Sequence, residues 1–296
     1  MSSFGAPNDA NHFFWLASYP KSGNTWFRLF LTSLLSDTDQ AFDANSVEHG
    51  QHINRRDVLD ELIGFDSADL SFAELNNIRN GCLKWVNQHS NSNVYQKTHA
   101  AYTYNQKKCP TLGAQSEGVS GALCFIRNPL DVCISYAHHI NSSIDYSIKI
   151  MGNTLQKSQP LHTKSFIPED ISSWSANVNS WKNSPDIAVL FIRYEDMLND
   201  PVKTFSRACQ FLKIEAGLDR IQIALENCSF QSLKTQEAQQ PFIEKPLTSK
   251  CFFRKGVAGD WQDTLNSEQI SQIIDHHGST MKQFGYIDEQ GMPKVS

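Results

Sequence analysis

The segment running from Phe13 to Leu35 limits this chain to few folds, because an apolar strand passes through a short polar loop into an apolar helix. Phe13–Ser18 is aromatic and aliphatic, and Asn24–Leu35 carries one charge, Arg28, among Trp26, Phe27, Leu29, Phe30, Leu31, Leu34 and Leu35. A helix apolar nearly all round is a buried helix. The linking residues, Ser18-Tyr19-Pro20-Lys21-Ser22-Gly23-Asn24-Thr25-Trp26, have the chemistry of an anion seat. Gly23 lets the backbone approach a ligand, and the first amides of the helix, lacking internal partners, face the loop with the positive end of the helix dipole. Lys21 adds a cation, and Ser22 and Thr25 add hydroxyls. Taken alone, the same loop also fits a capped strand-to-helix turn with an exposed lysine.

Further strand-like runs at Val94–Thr98, 122–127 and 187–193 alternate with helical patterns at 71–87, 129–140, 171–182, 201–212 and 267–284. This alternation predicts an α/β fold with a central parallel sheet flanked by helices. The last helix starts with Asn266 and Gln269 spaced as a capping pair and stops at Gly285. Residues 141–165 and 235–250 are polar and resist a regular assignment, as lids over a ligand often do. With 296 residues, 40% of them hydrophobic, the chain can bury a sizeable core and reads as one domain over residues 1–296.

A net charge of −5 argues against coating nucleic acid or an anionic membrane, so any anion site must be local. No apolar run approaches the ~20 residues that span a bilayer, and residues 1–12 lack the features of a secretory signal. The seven cysteines form no Cys-x-x-Cys pair, in keeping with a reduced cytoplasmic setting. No metal is expected: His49-x-x-His52 has no accompanying carboxylate or cysteine pattern. His138, His139, His276 and His277 read as helix-surface pairs.

Three more constellations carry chemistry. Arg127-Asn128-Pro129 ends a strand, where open α/β sheets bind ligands, and Ser135 lies two turns along the following helix. Together they could clamp a second phosphate, although Arg127 could also pair with Asp131 at the start of the helix. Phe253-Arg254-Lys255-Gly256-Val257-Ala258-Gly259-Asp260-Trp261 sets two adjacent cations before two glycines, as a loop wrapped on an anion or as a surface turn. Lys97-Thr98-His99 closes another strand.

In this order and spacing, from Tyr19 to Trp261, the motifs resemble the cytosolic-type sulfotransferase family, which moves a sulfonyl group from 3′-phosphoadenosine 5′-phosphosulfate to an acceptor hydroxyl or amine. The resemblance implies a sulfotransferase fold with a P-loop-like strand-loop-helix nucleotide site. It implies that Lys21, Ser22, Gly23, Asn24 and Thr25 hold the 5′-phosphosulfate, with Trp26 stacking near the adenine. Arg127 and Ser135 would hold the 3′-phosphate together with Arg254, Lys255 and Gly256. Tyr194 looks like the family tyrosine near the nucleotide, and Cys228-Ser229-Phe230 like its adenine-binding turn. His99 corresponds to the catalytic base, with Lys97 beside it.

The chemistry suits these residue types. An imidazole, ordinarily titrating near ~6.5, can take the acceptor's proton during attack on sulfur, typically for ~10²–10⁴-fold in rate. Lys21 and the loop amides can stabilise charge building on the leaving oxygen, an effect of about 3 kcal/mol per well-placed donor. The chain departs from the family at Asn24 and Cys228, where threonine is frequent, and at Ala100-Ala101 in place of Leu-Pro. Gln262 to Asn266 replaces the lysine-led dimerisation motif, so no oligomeric state is assigned. A nucleotide kinase or NTPase shares the strand-loop-helix layout, but the Gly-x-x-x-x-Gly-Lys-Ser/Thr spacing that wraps a triphosphate is missing. A catalytically inactive nucleotide-binding protein is the remaining alternative.

Overall fold

The computed structural model describes residues 12–36, 41–47, 55–158, 166–247 and 249–294. In chain order its helices and strands are β1 (Phe13–Ser18), α1 (Asn24–Leu35), α2 (Arg56–Ile63), α3 (Phe72–His89), β2 (Val94–Thr98), β3 (Val119–Ile126), α4 (Pro129–His139), α5 (Ile144–Gly152) and α6 (Trp174–Lys182). There follow β4 (Val189–Arg193), α7 (Tyr194–Asn199), α8 (Pro201–Phe211), α9 (Leu218–Asn227), α10 (Phe230–Gln239), α11 (Trp261–Thr264) and α12 (Ser267–Gln283).

The four strands form one parallel sheet in the order β2-β1-β3-β4. Parallel strands require crossovers, and the helices in those crossovers cover both faces, so β1 is buried along its whole length. Strand alternation divides the core. Phe14 and Leu16 point to one face, with Phe27, Phe30, Phe205 and Leu212. Phe13, Trp15 and Ala17 point to the other, with Leu83, Tyr102 and Trp181. Because β2 and β3 flank β1 on opposite sides, the strand order reverses at β1. Such a reversal opens a crevice where ligands of open α/β sheets bind. The strand register brings Ala17 level with Thr98 and Cys124, so the chain segments leaving β1, β2 and β3 emerge side by side.

β1, β2 and α1 have the bounds expected from the sequence, and α12 begins with the expected reciprocal Asn266–Gln269 cap. Two assignments need correction. Residues 141–165 include α5, whose start is capped by the Ser143 side chain and whose Ile148 and Met151 are buried. Ile144, Ile148 and Met151 keep helical spacing, but the Ser, Asn and Lys residues around them dilute the signal. Residues 235–250 begin inside α10, and the polar character of that helix, with only Leu233 buried, hid it. Residues 159–165, His49 and His52 lie outside the described residues.

Candidate functional site

The loop after β1 is held in an unusual backbone conformation by the chain on either side of it. Lys21 has φ 69° and Gly23 has φ 100°, both left-handed. At Gly23 a side chain would be strained, and an added Cβ would lie 2.8 Å from the Tyr194 ring. Asn24 latches the turn from the inside, donating from Nδ2 to the Leu16 carbonyl at 2.8 Å. Ser22 Oγ is buried without a hydrogen-bond partner, a costly state unless a ligand satisfies it. Thr25 is half-buried on the first turn of α1.

Lys21 is half-buried, with its Nζ 4.5 Å from the centre of the Phe252 ring. Burial, together with the positive charges of Arg127 and Lys97, lowers its pKa to about 8. A lysine so crowded by like charge favours any arrangement that brings an anion to it.

A second group of cations forms where β3 meets α4. Arg127 donates from Nη1 to the Lys21 carbonyl at 3.3 Å and from Nη2 to the Val257 carbonyl at 2.9 Å. Its guanidinium lies 4.4 Å over the Tyr194 ring, so one side chain joins the first loop, the 254–261 loop and α7. Its Nε is buried and unpartnered. The alternative pairing with Asp131 is not made: the Asp131 carboxylate instead accepts the Gly259 amide at 2.8 Å and the Trp261 amide at 3.1 Å. Those bonds tie the glycine loop to α4.

Asp260 holds both cations of that loop, Arg254 at 2.7 Å and Lys255 in a shorter contact. Ser135 is half-buried on α4. It shares a helix face with His138, whose pKa is lowered by burial and then by the charge of Arg254. Ser135 therefore faces the same cluster. Gly256 has φ 65°, and a Cβ there would sit 2.3 Å from the Phe230 ring. Gly256→Ala is expected to weaken binding of adenosine 3′,5′-bisphosphate and to cost about 1 kcal/mol or more of stability, readable as a smaller thermal shift on adding the nucleotide.

Beside these cations lie the aromatic residues. Tyr194, buried and with its phenol pKa raised by burial, packs edge-on to Trp26 at 6.1 Å between ring centres. Phe230 is half-buried at the start of α10, and Ser229 caps that helix by accepting the Ser232 amide. Cys228 is a correction to the expected turn: it is fully buried and its thiol donates to the Ala224 carbonyl at 3.0 Å. Its side chain is spent on packing α9, leaving only Ser229 and Phe230 of the three at the surface of the turn.

His99 stands at the end of β2, half-buried. Its Nδ1 lies 2.8 Å from the Ser18 carbonyl oxygen and 3.2 Å from Ser18 Oγ. A carbonyl can only accept, so Nδ1 carries the proton and Nε2 is the basic nitrogen. Lys97, two residues earlier on the same side of β2, has its Nζ 3.7 Å from Glu244, which also binds Arg28 Nη2 at 2.6 Å. Burial lowers the Lys97 pKa, with Glu244 opposing that shift.

Sequence reasoning missed the members of this site that come from distant segments: Glu244, Phe252, Asp131 in its actual role, and His139. His139 is not a plain surface residue. Burial and the positive charges of Lys21 and Lys97 drive its pKa to about 3, so it sits neutral toward the lysines. His277 is buried, bonded through Nδ1 to Ser175 Oγ at 2.8 Å, and also pushed to about 3 by burial. Among the described residues no cluster of His, Cys, Asp or Glu could hold a metal ion, and no helix is long and apolar enough to cross a membrane.

Comparison with known proteins agrees with this fold. The family model for the sulfotransferase domain matches residues 12–285. Flavonol 3-sulfotransferase from Flaveria bidentis is 26% identical over 286 residues, covering 90% of this chain and 80% of its own length. Mouse sulfotransferase SULT7A1 complexed with PAP superposes with a TM-score of 0.57 at 18% identity, covering 97% of this chain and 88% of that one. Retinol dehydratase in complex with retinol and PAP gives a TM-score of 0.57 at 19% identity, covering 91% and 81%. The chain belongs to the sulfotransferase domain family and is a sulfonyl-transferring enzyme.

Proposed function

We propose that the enzyme transfers the sulfonyl group of 3′-phosphoadenosine 5′-phosphosulfate to the hydroxyl of a small acceptor, with His99 as general base and Lys21 as stabiliser of the leaving group. The observation that carries this reading is the 2.8 Å bond from His99 Nδ1 to the Ser18 carbonyl, which makes Nε2 the proton acceptor. It sets a base one strand away from the anion seat of Lys21 to Thr25.

The donor supplies an activated sulfonyl group. Lys21, Ser22 Oγ and the first amides of α1 bind its 5′-phosphosulfate, and the unpartnered Ser22 Oγ and Arg127 Nε fit a ligand rich in acceptor oxygens. Arg127, Ser135, Arg254, Lys255 and Gly256 take the 3′-phosphate, while Trp26, Ser229 and Phe230 border the base. As the acceptor oxygen bonds to sulfur, its proton passes to His99 Nε2. The sulfur–oxygen bond to phosphorus breaks, and its electron pair stays on the oxygen beside Lys21. Lys97 adds positive charge to the sulfonyl side.

The relatives named for flavonol and retinol act on or bind hydroxylated small molecules, which supports a hydroxyl acceptor here. Glu244 is the part of the 235–250 segment that borders the acceptor in this reading, because it reaches Lys97 and Arg28.

Thermal denaturation separates this reading from a kinase. Adenosine 3′,5′-bisphosphate should stabilise the protein far more than ATP with Mg²⁺, by roughly 2.7 kcal/mol at a hundredfold excess over Kd. Equal or greater stabilisation by ATP with Mg²⁺ would count against it. Labelled-sulfonate transfer to a panel of phenols and alcohols tests catalysis itself, and nucleotide binding without turnover on any acceptor would leave an inactive binding protein.

A further inference from the structure

Glu169 takes no part in the nucleotide site, yet it is buried, at 3% exposed, and its carboxylate is directed at the residues around His99. Its Oε1 accepts the Thr98 hydroxyl at 2.6 Å, the His99 amide at 3.0 Å and the Ala100 amide at 3.3 Å. The next residue continues the contact, since the Asp170 carbonyl accepts the Ala101 amide at 2.8 Å. From α6, Asn177 Nδ2 reaches the His99 carbonyl at 2.9 Å, and Trp181 Nε1 reaches the Ala100 carbonyl at 3.0 Å. Every backbone amide from His99 to Ala101 is thus bonded to residues 169–170. The 169–172 segment is itself held: Ser158 Oγ accepts the Glu169 amide at 2.7 Å, and the Ile171 and Ser172 amides bond to the Gln156 carbonyl.

We propose that Glu169 is the positioning residue of the catalytic base: it fixes the backbone at Thr98 to Ala100 so that the imidazole keeps its bond to Ser18 and presents Nε2 to the acceptor. The inference rests on the reading of His99 as that base. A buried carboxylate accepting three hydrogen bonds makes a stiff anchor, since charge-assisted bonds are shorter and roughly twice as strong as neutral ones. Burial lowers the pKa of neighbouring Arg79, and the carboxylates of Glu169 and Asp170 act against that shift, so the anchor has a countercharge.

A double-mutant cycle tests the proposal with the full-length protein. Glu169→Ala should lower kcat by ~10- to ~100-fold, the scale of a small misplacement of a reacting group, and leave the Kd of adenosine 3′,5′-bisphosphate unchanged. Glu169→Gln keeps an oxygen acceptor and should recover most of the loss. In a His99→Ala background, Glu169→Ala should have no further effect on residual transfer, because both changes remove the same function. Multiplying losses, or a Glu169→Ala enzyme with full kcat, would overturn the brace. If Glu169→Ala does not fold, Thr98→Val serves the same cycle: it removes the 2.6 Å bond to Glu169 Oε1 and should lower kcat without changing nucleotide Kd, and normal kcat would again overturn the brace. Full activity in His99→Ala alone would instead remove the base reading on which the brace depends, so the two failures are distinguishable.

Discussion

Replacing His99 by alanine is expected to reduce sulfonyl transfer by ~10²–10⁴-fold, the range for loss of a general base, while nucleotide affinity stays close to that of the parent. The separation follows from the geometry. The groups proposed to bind the donor lie on the loop after β1, at the start of α4 and in the 254–261 loop, whereas His99 leaves β2 and bonds to Ser18. Single-turnover transfer alongside calorimetric titration with adenosine 3′,5′-bisphosphate reads both quantities. Undiminished turnover would take His99 out of the mechanism, and a parallel collapse of nucleotide affinity would mean that it serves the binding site instead. His99→Asn adds a sharper control: it keeps a donor toward Ser18 but offers no base, and it should be as inactive as alanine.

The second large effect concerns Lys21. Lys21→Met should lower kcat by ~10²–10³-fold, comparable to removing one strong donor from a site of developing negative charge. It should also weaken nucleotide binding, in contrast to His99→Ala. The pH dependence supplies a separate check, and its sign is fixed by the direction of the shift. Burial and the neighbouring Arg127 and Lys97 charges bring Lys21 from its ordinary value down to about 8 in the free protein. An anion binds the protonated form and raises that pKa in the complex. Affinity for adenosine 3′,5′-bisphosphate should therefore be level below pH 8 and fall above it, by up to about tenfold per pH unit. Lys21→Arg should flatten the profile, because a guanidinium keeps its proton throughout this range. A parent profile that stays level between about pH 7 and about pH 10 would show that Lys21 is not the group engaged by the phosphates.

The parts of the fold legible in the sequence are those with a strong local signal. Phe13–Ser18 is almost wholly apolar and Asn24–Leu35 carries a single charge among its large apolar residues, so burial defines them. Asn266 and Gln269 announce the start of α12 because a capping box is written within four consecutive residues. α5 and α10 were harder to see, since each buries a narrow stripe under a polar surface and the stripe is too sparse to stand out. Among the site residues, Lys21, Ser22, Gly23, Arg127 and His99 follow strands, a placement that can be read along the chain. Glu244, Glu169 and His139 carry no such mark. Glu244 meets Arg28 across 216 residues of sequence, and Glu169 meets the His99 amide across 70. Nor did the sequence show that Cys228 would turn inward, a matter of how α9 ends.

By itself the sequence determined which groups this protein has available: two sets of cations at strand and loop ends, glycines where backbone must come close, and a histidine to take a proton. Local chemistry fixes those choices, because the conformational freedom of Gly23 and the charge of Lys21 travel with the residues. The tertiary structure decided what state each group is in. It set the proton on His99 Nδ1 by facing it with the Ser18 carbonyl, lowered Lys21 by enclosing it with Arg127 and Lys97, and turned Asp131 from a partner of Arg127 into the anchor of the glycine loop. Tautomer, pKa and hydrogen-bond partner all depend on which distant atoms lie within a few ångströms. Only the folded chain determines that.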